Sequence, residues 1–149
     1  MGKNLSIMAI DPGANGGIAF TDGDTTGCFP MPEGMSAQAD KIRSLVVEGG
    51  INRAIVERIG TYMPGNSGPA AATFARHCGH IEAILYCFGV PTDQVMPKKW
   101  QASFGTLPKD KQERKRAIKE AMARHYPHLP VTLKTADALG ILTWAIKNE

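Results

Sequence analysis

The sequence predicts an α/β fold in which helices pack on a β-sheet, because short apolar strand-like runs alternate with longer segments of helical periodicity. Three short apolar runs fill the first 30 residues, and Asp, Asn and Gly residues typical of turns separate them. Helical and strand-like segments then follow one another toward the C-terminal end. We find no internal repeat and no linker-like stretch, so residues 1–149 are predicted to form a single domain.

The first three strands are predicted to form a meander. The apolar run over 5–10 leads into Asp11 and has the character of a buried central strand. A Gly-rich turn follows, and a second strand is predicted over 18–20. Another turn, over 22–24, precedes a third strand over 25–29.

The remaining elements are recognised by their periodicity and by the Gly and Pro residues that bound them. In chain order they are a helix over 37–47, a strand over 53–56, a Gly-rich loop over 60–68, a helix over 69–88, a strand over 94–96, a basic helix over 109–125 and a last helix over 133–147. Ser36 is predicted to cap the first helix, and Gly49 and Gly50 to end it.

Composition and charge exclude several classes of protein. Apolar residues make up 43% of the chain and charged residues 21%, a balance typical of globular domains. No apolar run approaches the roughly 20 residues that cross a membrane, and the first residues do not resemble a secretory signal. Three cysteines argue against a disulfide framework because their number is odd. We therefore expect a cytoplasmic protein without a membrane partner.

Positive charge is concentrated between residues 98 and 124, although the net charge is only +3. A local basic surface favours a polyanionic partner such as nucleic acid, and the alternative is an ordinary solvated helix face. Contacts with phosphates would supply affinity and position rather than sequence readout. The candidates for such contacts are Lys109, Lys111, Arg114 and Lys115.

Three acids are candidates for chemistry. Asp11 and Glu57 each follow an apolar strand, where a charge is costly unless it is paired or binds a cation. On adjacent strands they would repel each other, and Mg²⁺ or Mn²⁺ would remove that repulsion. Asp137 lies among small residues near the start of the last helix. The alternatives stay open: a turn-forming Asp11, a Glu57 paired with a nearby arginine, and an Asp137 favoured by the helix dipole.

Several motifs resemble RuvC-like Holliday junction resolvases. The run IMAIDPG at 7–13, with the glycines at 16–17, is similar to the family's first strand and turn. The run AIVE at 54–57 resembles the strand that ends in the catalytic Glu, and ADAL at 136–139 resembles the last catalytic helix. VMPKKW at 95–100 looks most like phage and bacterial members. The motifs occur in the family's order over nearly the whole chain.

The resemblance implies an RNase H-like fold, with a mixed five-stranded sheet and helices on both faces. It also implies a homodimer that resolves four-way or other branched DNA in a bacterium or a phage-infected cell. Cleavage would use two Mg²⁺ or Mn²⁺ ions per active site, need no nucleotide cofactor, and leave a 5′-phosphate and a 3′-hydroxyl. Asp11, Glu57 and Asp137 match the family's catalytic metal ligands, and Asp11 would be shared by both ions.

The sequence departs from the family's pattern at one position. The family carries another acid or a His one helical turn before its final Asp, where this chain has Lys134. Positions 134 and 137 would share a helix face, so Lys134 is expected near the same cleft. Three explanations stay open: three carboxylates suffice, Lys134 acts catalytically on the scissile phosphate, or Asp110 completes the site.

Further predictions concern aromatic and apolar residues, and among them the role of Tyr62 is what the resemblance implies. Tyr62, soon after Glu57, would wedge between bases at the junction centre, unless it folds back onto the core. Trp100 and Trp144 are interpreted as core residues. The long helix is predicted to contribute to the dimer interface, because it carries more apolar residues than one sheet-facing stripe requires. These residues are Phe74, Ile81, Ile84, Leu85 and Phe88.

Other functions compete with junction resolution. Another RNase H-fold nuclease, acting on flaps or RNA–DNA hybrids, would use the same acids. Lys134 also suggests a catalytically weak protein that binds branched DNA. A third alternative is the phosphate loop of actin-like proteins or sugar kinases, but those folds need two related domains and this chain is too short for both.

Overall fold

The computed structural model describes residues 5–58 and 67–149, and its elements alternate as the sequence predicts. The strands are Ile7–Asp11 (β1), Gly17–Thr21 (β2), Thr26–Pro30 (β3), Arg53–Glu57 (β4) and Thr92–Val95 (β5). The helices are Met35–Arg43 (α1, continued by a π-helical turn over Ser44–Glu48), Gly68–Cys87 (α2), Pro97–Gln101 (α3, followed by a 3₁₀ turn over Ala102–Phe104), Lys111–His125 (α4) and Ala136–Lys147 (α5).

The five strands form one mixed sheet in the order β3-β2-β1-β4-β5. The pairs β1–β2 and β2–β3 are antiparallel, which confirms the predicted meander. The pairs β1–β4 and β4–β5 are parallel, so the carboxyl ends of these three strands meet at one edge of the sheet. The α/β class and the mixed five-stranded sheet are confirmed.

Helices cover both faces of the sheet, also as predicted. Alternate side chains of β1 point to opposite sides, and all five of its residues are buried. Ile7 and Ala9 pack into a core cluster with residues of α3, α4 and α5, such as Trp100. Met8 and Ile10 pack into a second cluster with residues of α1 and α2. Helices α3, α4 and α5 therefore cover one side of β1, and α1 and α2 cover the other.

Element boundaries differ from the prediction at several points. Ser36 does not cap α1, because the helix begins at Met35 and Gly34 is its N-cap. The last helix begins at Ala136 rather than at 133, and the three residues before it form a turn. The short helix α3 and the 3₁₀ turn after it were not predicted, because Pro97 looked like the end of a strand.

The apolar residues of α2 serve the monomer's own core. Ile81, Ile84 and Leu85 are buried in the cluster shared with α1 and the sheet, and Phe88 packs against that cluster. These residues therefore leave no surplus apolar surface, so that argument for a contribution of α2 to a dimer interface fails, and the contribution itself stays a prediction. Phe74, also assigned to that interface, is half-buried and lies nearer the start of the helix.

Two findings concern membranes and thiols. Within residues 5–58 and 67–149, no helix is both long and apolar enough to cross a membrane. Cys28, Cys78 and Cys87 carry free thiols, and Cys87 is exposed.

Candidate functional site

Two of the predicted acids lie side by side at the carboxyl ends of parallel strands. Ile10 of β1 pairs with Val56 of β4, so Asp11 and Glu57 are the next residue on each strand. Side-chain alternation turns both toward the face that α4 and α5 cover. Asp11 is 9% exposed and Glu57 7%, which places both carboxyl groups below the surface.

The loop after β1 folds back tightly over the strand end. Gly13 has a φ of 107°, in the region that favours glycine. A Cβ at Gly16 would lie 1.9 Å from the backbone oxygen of Asp11, so only glycine fits there. The Gly16 amide donates to the Gly13 carbonyl oxygen at 3.0 Å. The Gly-rich turn recognised in the sequence therefore closes against the residue that carries the first acid.

Asp137 enters the same cleft from the first turn of α5. The positive end of the helix dipole favours a carboxylate at this place. The cleft has a volume of about 450 Å³. Three predicted basic residues, Lys111, Arg114 and Lys115, also line it from α4. The lining residues that sequence reasoning did not assign to a site include Asn15, Phe74 and Gln101.

Burial and mutual repulsion disfavour negative charge in this cleft. Burial, followed by the charges of Glu57 and Asp137, raises the pKa of Asp11 well above its ordinary value. Burial raises the pKa of Glu57 to about 7, against a hydrogen bond from Trp100 that lowers it. Burial also raises the pKa of Asp137, and Lys115 and Arg114 oppose that shift. Within the described residues, no salt bridge joins these acids to a cation.

Trp100 contacts one of the candidate acids, a contact that the sequence analysis missed. Its indole Nε1 donates to Glu57 Oε2 at 2.6 Å, and both residues are buried. The interpretation of Trp100 as a core residue is correct as far as burial goes, since its exposure is 0%. A buried indole N–H generally needs an acceptor, so the predicted burial of Trp100 already implied a hydrogen-bond partner for it. Trp144, the other predicted core tryptophan, is only half-buried.

The donor set suits a hard divalent cation that also has ligands from outside the protein. In the described part of the chain, no three His, Cys, Asp or Glu side chains form a group able to hold one ion by themselves. The three acids instead line one cleft and interact through their charges. Mg²⁺ is commonly bound by one or two carboxylates and completed by water and substrate phosphates. Buried carboxylate oxygens fit that manner of binding.

Lys134 lies outside the acid cleft. It occupies the turn before α5, so the helical spacing that placed it beside Asp137 is wrong. Its side chain is exposed and lines a neighbouring cavity of about 560 Å³, together with Arg76 and His80. Asn15 lines both spaces, so the loop after β1 separates them.

The remaining candidates have diverse positions. Asp110 does not complete the site, because it caps α4 and its Oδ2 accepts from the Glu113 amide at 2.9 Å. Lys109 does not line the cleft, and its carbonyl oxygen accepts from Arg114 Nη1 at 3.1 Å. Tyr62 falls outside the residues that the structure describes.

The strand order, the helices on both faces and the acids at the strand ends define an RNase H-like α/β fold. Solved structures with this fold include Thermus thermophilus RuvC, at a TM-score of 0.58 and 18% identity. They also include T. thermophilus RuvC in complex with a Holliday junction substrate, at a TM-score of 0.60 and 17% identity. Each match covers 97% of this chain and 96% of the other. No protein-family model and no curated protein sequence matches the chain.

The buried acids predict an unusual dependence of stability on pH. A carboxyl group whose pKa is raised by folding stabilises the protein below its unfolded-state pKa, and this contribution is lost as the pH rises through its folded-state pKa. For Glu57 the loss falls between about 4.5 and about 7. Without divalent cations, we predict that Glu57→Gln is more stable than wild type at pH 8, by up to about 3 kcal/mol, and that this gain disappears near pH 4.

Urea denaturation at the two pH values measures this difference. Glutamine keeps an oxygen that can accept from Trp100, so the substitution removes charge with little change in shape. Glu120→Gln, at an exposed position of α4, is the control and should show no such gain. An equal effect of Glu57→Gln at both pH values would contradict the prediction.

Proposed function

We propose that this chain is a metal-dependent endonuclease that cuts four-way or other branched DNA. The observation that carries the proposal is the placement of three carboxylates in one cleft, buried ones from β1 and β4 and a half-buried one from α5, with a basic helix along its side. The likeness in fold to a RuvC structure with a Holliday junction substrate supports the choice of substrate. Fold alone does not define a substrate, so cleavage has to be measured.

Asp11, Glu57 and Asp137 would hold Mg²⁺ or Mn²⁺ in this proposal. Two bound ions would supply an activated water nucleophile and stabilise the leaving oxygen of the phosphodiester. Asp11 is the best candidate for the shared ligand, because the charges of both Glu57 and Asp137 act on it. Departure of the 3′ oxygen leaves a 5′-phosphate and a 3′-hydroxyl.

Basic residues would hold the DNA backbone on two sides of the acids. Lys111, Arg114 and Lys115 line the acid cleft along α4. Lys134 and Arg76 line the adjoining cavity, on the other side of the loop after β1. We therefore assign Lys134 to the DNA backbone rather than to a metal ion. Such contacts add affinity without reading sequence.

A homodimer would supply two symmetric cuts, as a four-way junction requires. The exposed side of α2 is the surface that we propose for the interface. Ala75, Gly79 and Ala83 follow one another at intervals of four residues on this side, and all three are exposed. Small residues allow two helices to approach closely. Tyr86, at the end of the same stripe, is 85% exposed and would add apolar area.

The first test is cleavage of a synthetic four-way junction in Mg²⁺ and in Mn²⁺, with duplex DNA and an RNA–DNA hybrid as comparison substrates. We predict that the junction is cut fastest and that Asp11→Asn lowers the rate by more than about 100-fold. Mutation of a residue that only hydrogen-bonds to a metal ligand already lowers metal affinity or activity about 10- to 100-fold. Junction affinity measured without divalent cations should not fall, because the substitution removes negative charge. Asp24→Asn, in an exposed turn, is the control.

Two outcomes would redirect the proposal. Preferential cutting of the hybrid or of a flap would favour another RNase H-fold nuclease. Tight junction binding without cleavage in either metal would favour a branched-DNA-binding protein.

The second test is the salt dependence of junction binding. The logarithm of affinity should fall linearly with the logarithm of salt concentration, by about 0.9 per phosphate neutralised. We predict that the double variant Lys111→Ala, Arg114→Ala flattens this slope by up to about two units, and that Lys134→Ala flattens it by about one. Arg43→Ala, at the end of α1 outside both cavities, should leave it unchanged. An unaltered slope for the double variant would make α4 an ordinary solvated face.

The third test concerns the dimer. We predict that Ala83→Arg gives a monomer in sedimentation velocity at micromolar concentration, because a long charged side chain would hold the two α2 helices apart. Ala123→Arg adds the same group to the exposed side of α4 and should leave the wild-type assembly unchanged. A wild-type monomer, with and without junction DNA, would refute the proposed interface.

A further inference from the structure

One side chain connects the two elements that carry Glu57 and Asp137. Trp100 has an exposure of 0%, and its indole N–H is bonded to Glu57 Oε2 at 2.6 Å. This bond engages one carboxylate oxygen from the side of α3 and leaves the other oxygen available to a ligand in the cleft. Glu57 is therefore fixed in position by a neighbour with no charge of its own.

The opposite edge of the same indole packs on α5. A Cβ added at Gly140 would lie 2.6 Å from Cζ3 and 3.1 Å from Cε3 of Trp100, so the ring rests directly on the helix backbone. Gly140 lies three residues after Asp137, which places both on one side of the helix. Phe104 supports the ring from the 3₁₀ turn, in an edge-to-face arrangement with centroids 6.0 Å apart.

A rigid ring thus spans the space between β4 and the helix that bears Asp137. The aromatic system has no internal torsion, so the separation of the two elements is set by its width. Loss of the N–H would free Glu57 to rotate, and displacement of the ring would move Glu57 relative to α5. Both changes act on the acids without adding or removing any charge.

We propose that Trp100 is a positioning residue that holds the Glu57 carboxylate in register with Asp137 for a divalent cation. The inference rests on the proposed function, because it takes both acids as metal ligands. Trp100 itself touches neither the cation nor the DNA in this assignment. Its contribution is the orientation of a ligand, an effect worth about 10- to 100-fold in metal affinity in other metal sites.

Calorimetric titration of the DNA-free protein with Mn²⁺ tests the proposal without relying on cleavage. Trp100→Phe removes the N–H donor near Glu57 and also shortens the ring that spans the space between β4 and α5. We expect its Mn²⁺ affinity to fall by at least about 10-fold. Trp144→Phe deletes the same donor from the half-buried tryptophan and should leave the affinity unchanged.

Gly140→Ala provides a second variant that keeps the indole N–H. Its added methyl group would overlap the ring, so it should also weaken Mn²⁺ binding. In the Trp144→Phe background, Trp100 is the sole tryptophan, and bound Mn²⁺ should quench its fluorescence because the ring is bonded to a ligand. In cleavage assays, raising the Mn²⁺ concentration should restore the cleavage rate of Trp100→Phe but not that of Asp11→Asn.

The results distinguish failure of the positioning role of Trp100 from failure of the proposed nuclease function. Wild-type Mn²⁺ affinity in folded Trp100→Phe, together with lost affinity in Asp11→Asn, would overturn the role of Trp100 and leave the proposed function intact. Absence of Mn²⁺ binding and of cleavage in wild type would overturn both. If Trp100→Phe does not fold, unchanged Mn²⁺ affinity in Gly140→Ala would overturn the positioning role.

Discussion

Asp11 and Glu57 are buried and Asp137 is half-buried within one cleft, where their negative charges repel one another. Burying carboxylate charge costs free energy, and within the described residues no salt bridge to these acids offsets that cost. Parallel pairing of β1 and β4 brings the first two acids to one sheet edge, and α5 brings the third over it. The concentration of acids explains why the cleft suits a cation, and the basic residues that α4 places along its side are the reason for proposing a polyanion as the second partner.

Glycine and an aromatic ring keep the three acids close in space. Gly16 lets the loop after β1 close onto Asp11, and Gly140 lets Trp100 lie on the backbone of α5. At Gly17, a Cβ would lie 2.5 Å from the carbonyl oxygen of Lys134, so β2 and the turn before α5 also meet without an intervening side chain. Close packing at glycines, rather than attraction between the acids, therefore brings like charges together.

The features that the sequence predicted correctly are those that depend on patterns among neighbouring residues. Apolar runs that end in an acid placed Asp11 and Glu57 at strand ends, and the parallel pairing confirms that they are neighbours. Lys134 was misplaced because an error of three residues at a helix start changes which residues share a face. The bond between Trp100 and Glu57 joins residues 43 positions apart, and no local pattern specifies such a partner. A stripe of apolar residues on α2 likewise could not show how many surfaces would cover it.

In the proposed nuclease, the charge arrangement makes cation and DNA binding interdependent. A phosphate that approaches the ionised acids is repelled, although Lys115 and Arg114 attract it from the side. A cation bound by the acids reverses the charge that the phosphate meets, so each ligand raises the affinity for the other by the same factor. Protonation of the acids would remove their repulsion of the phosphate, but the protonated carboxyl groups would no longer bind the cation. Binding of the DNA and placement of the scissile phosphate would then depend on different groups. The basic residues of α4 would still hold the DNA backbone, whereas only carboxylates with bound cations would bring one phosphate into position for cleavage.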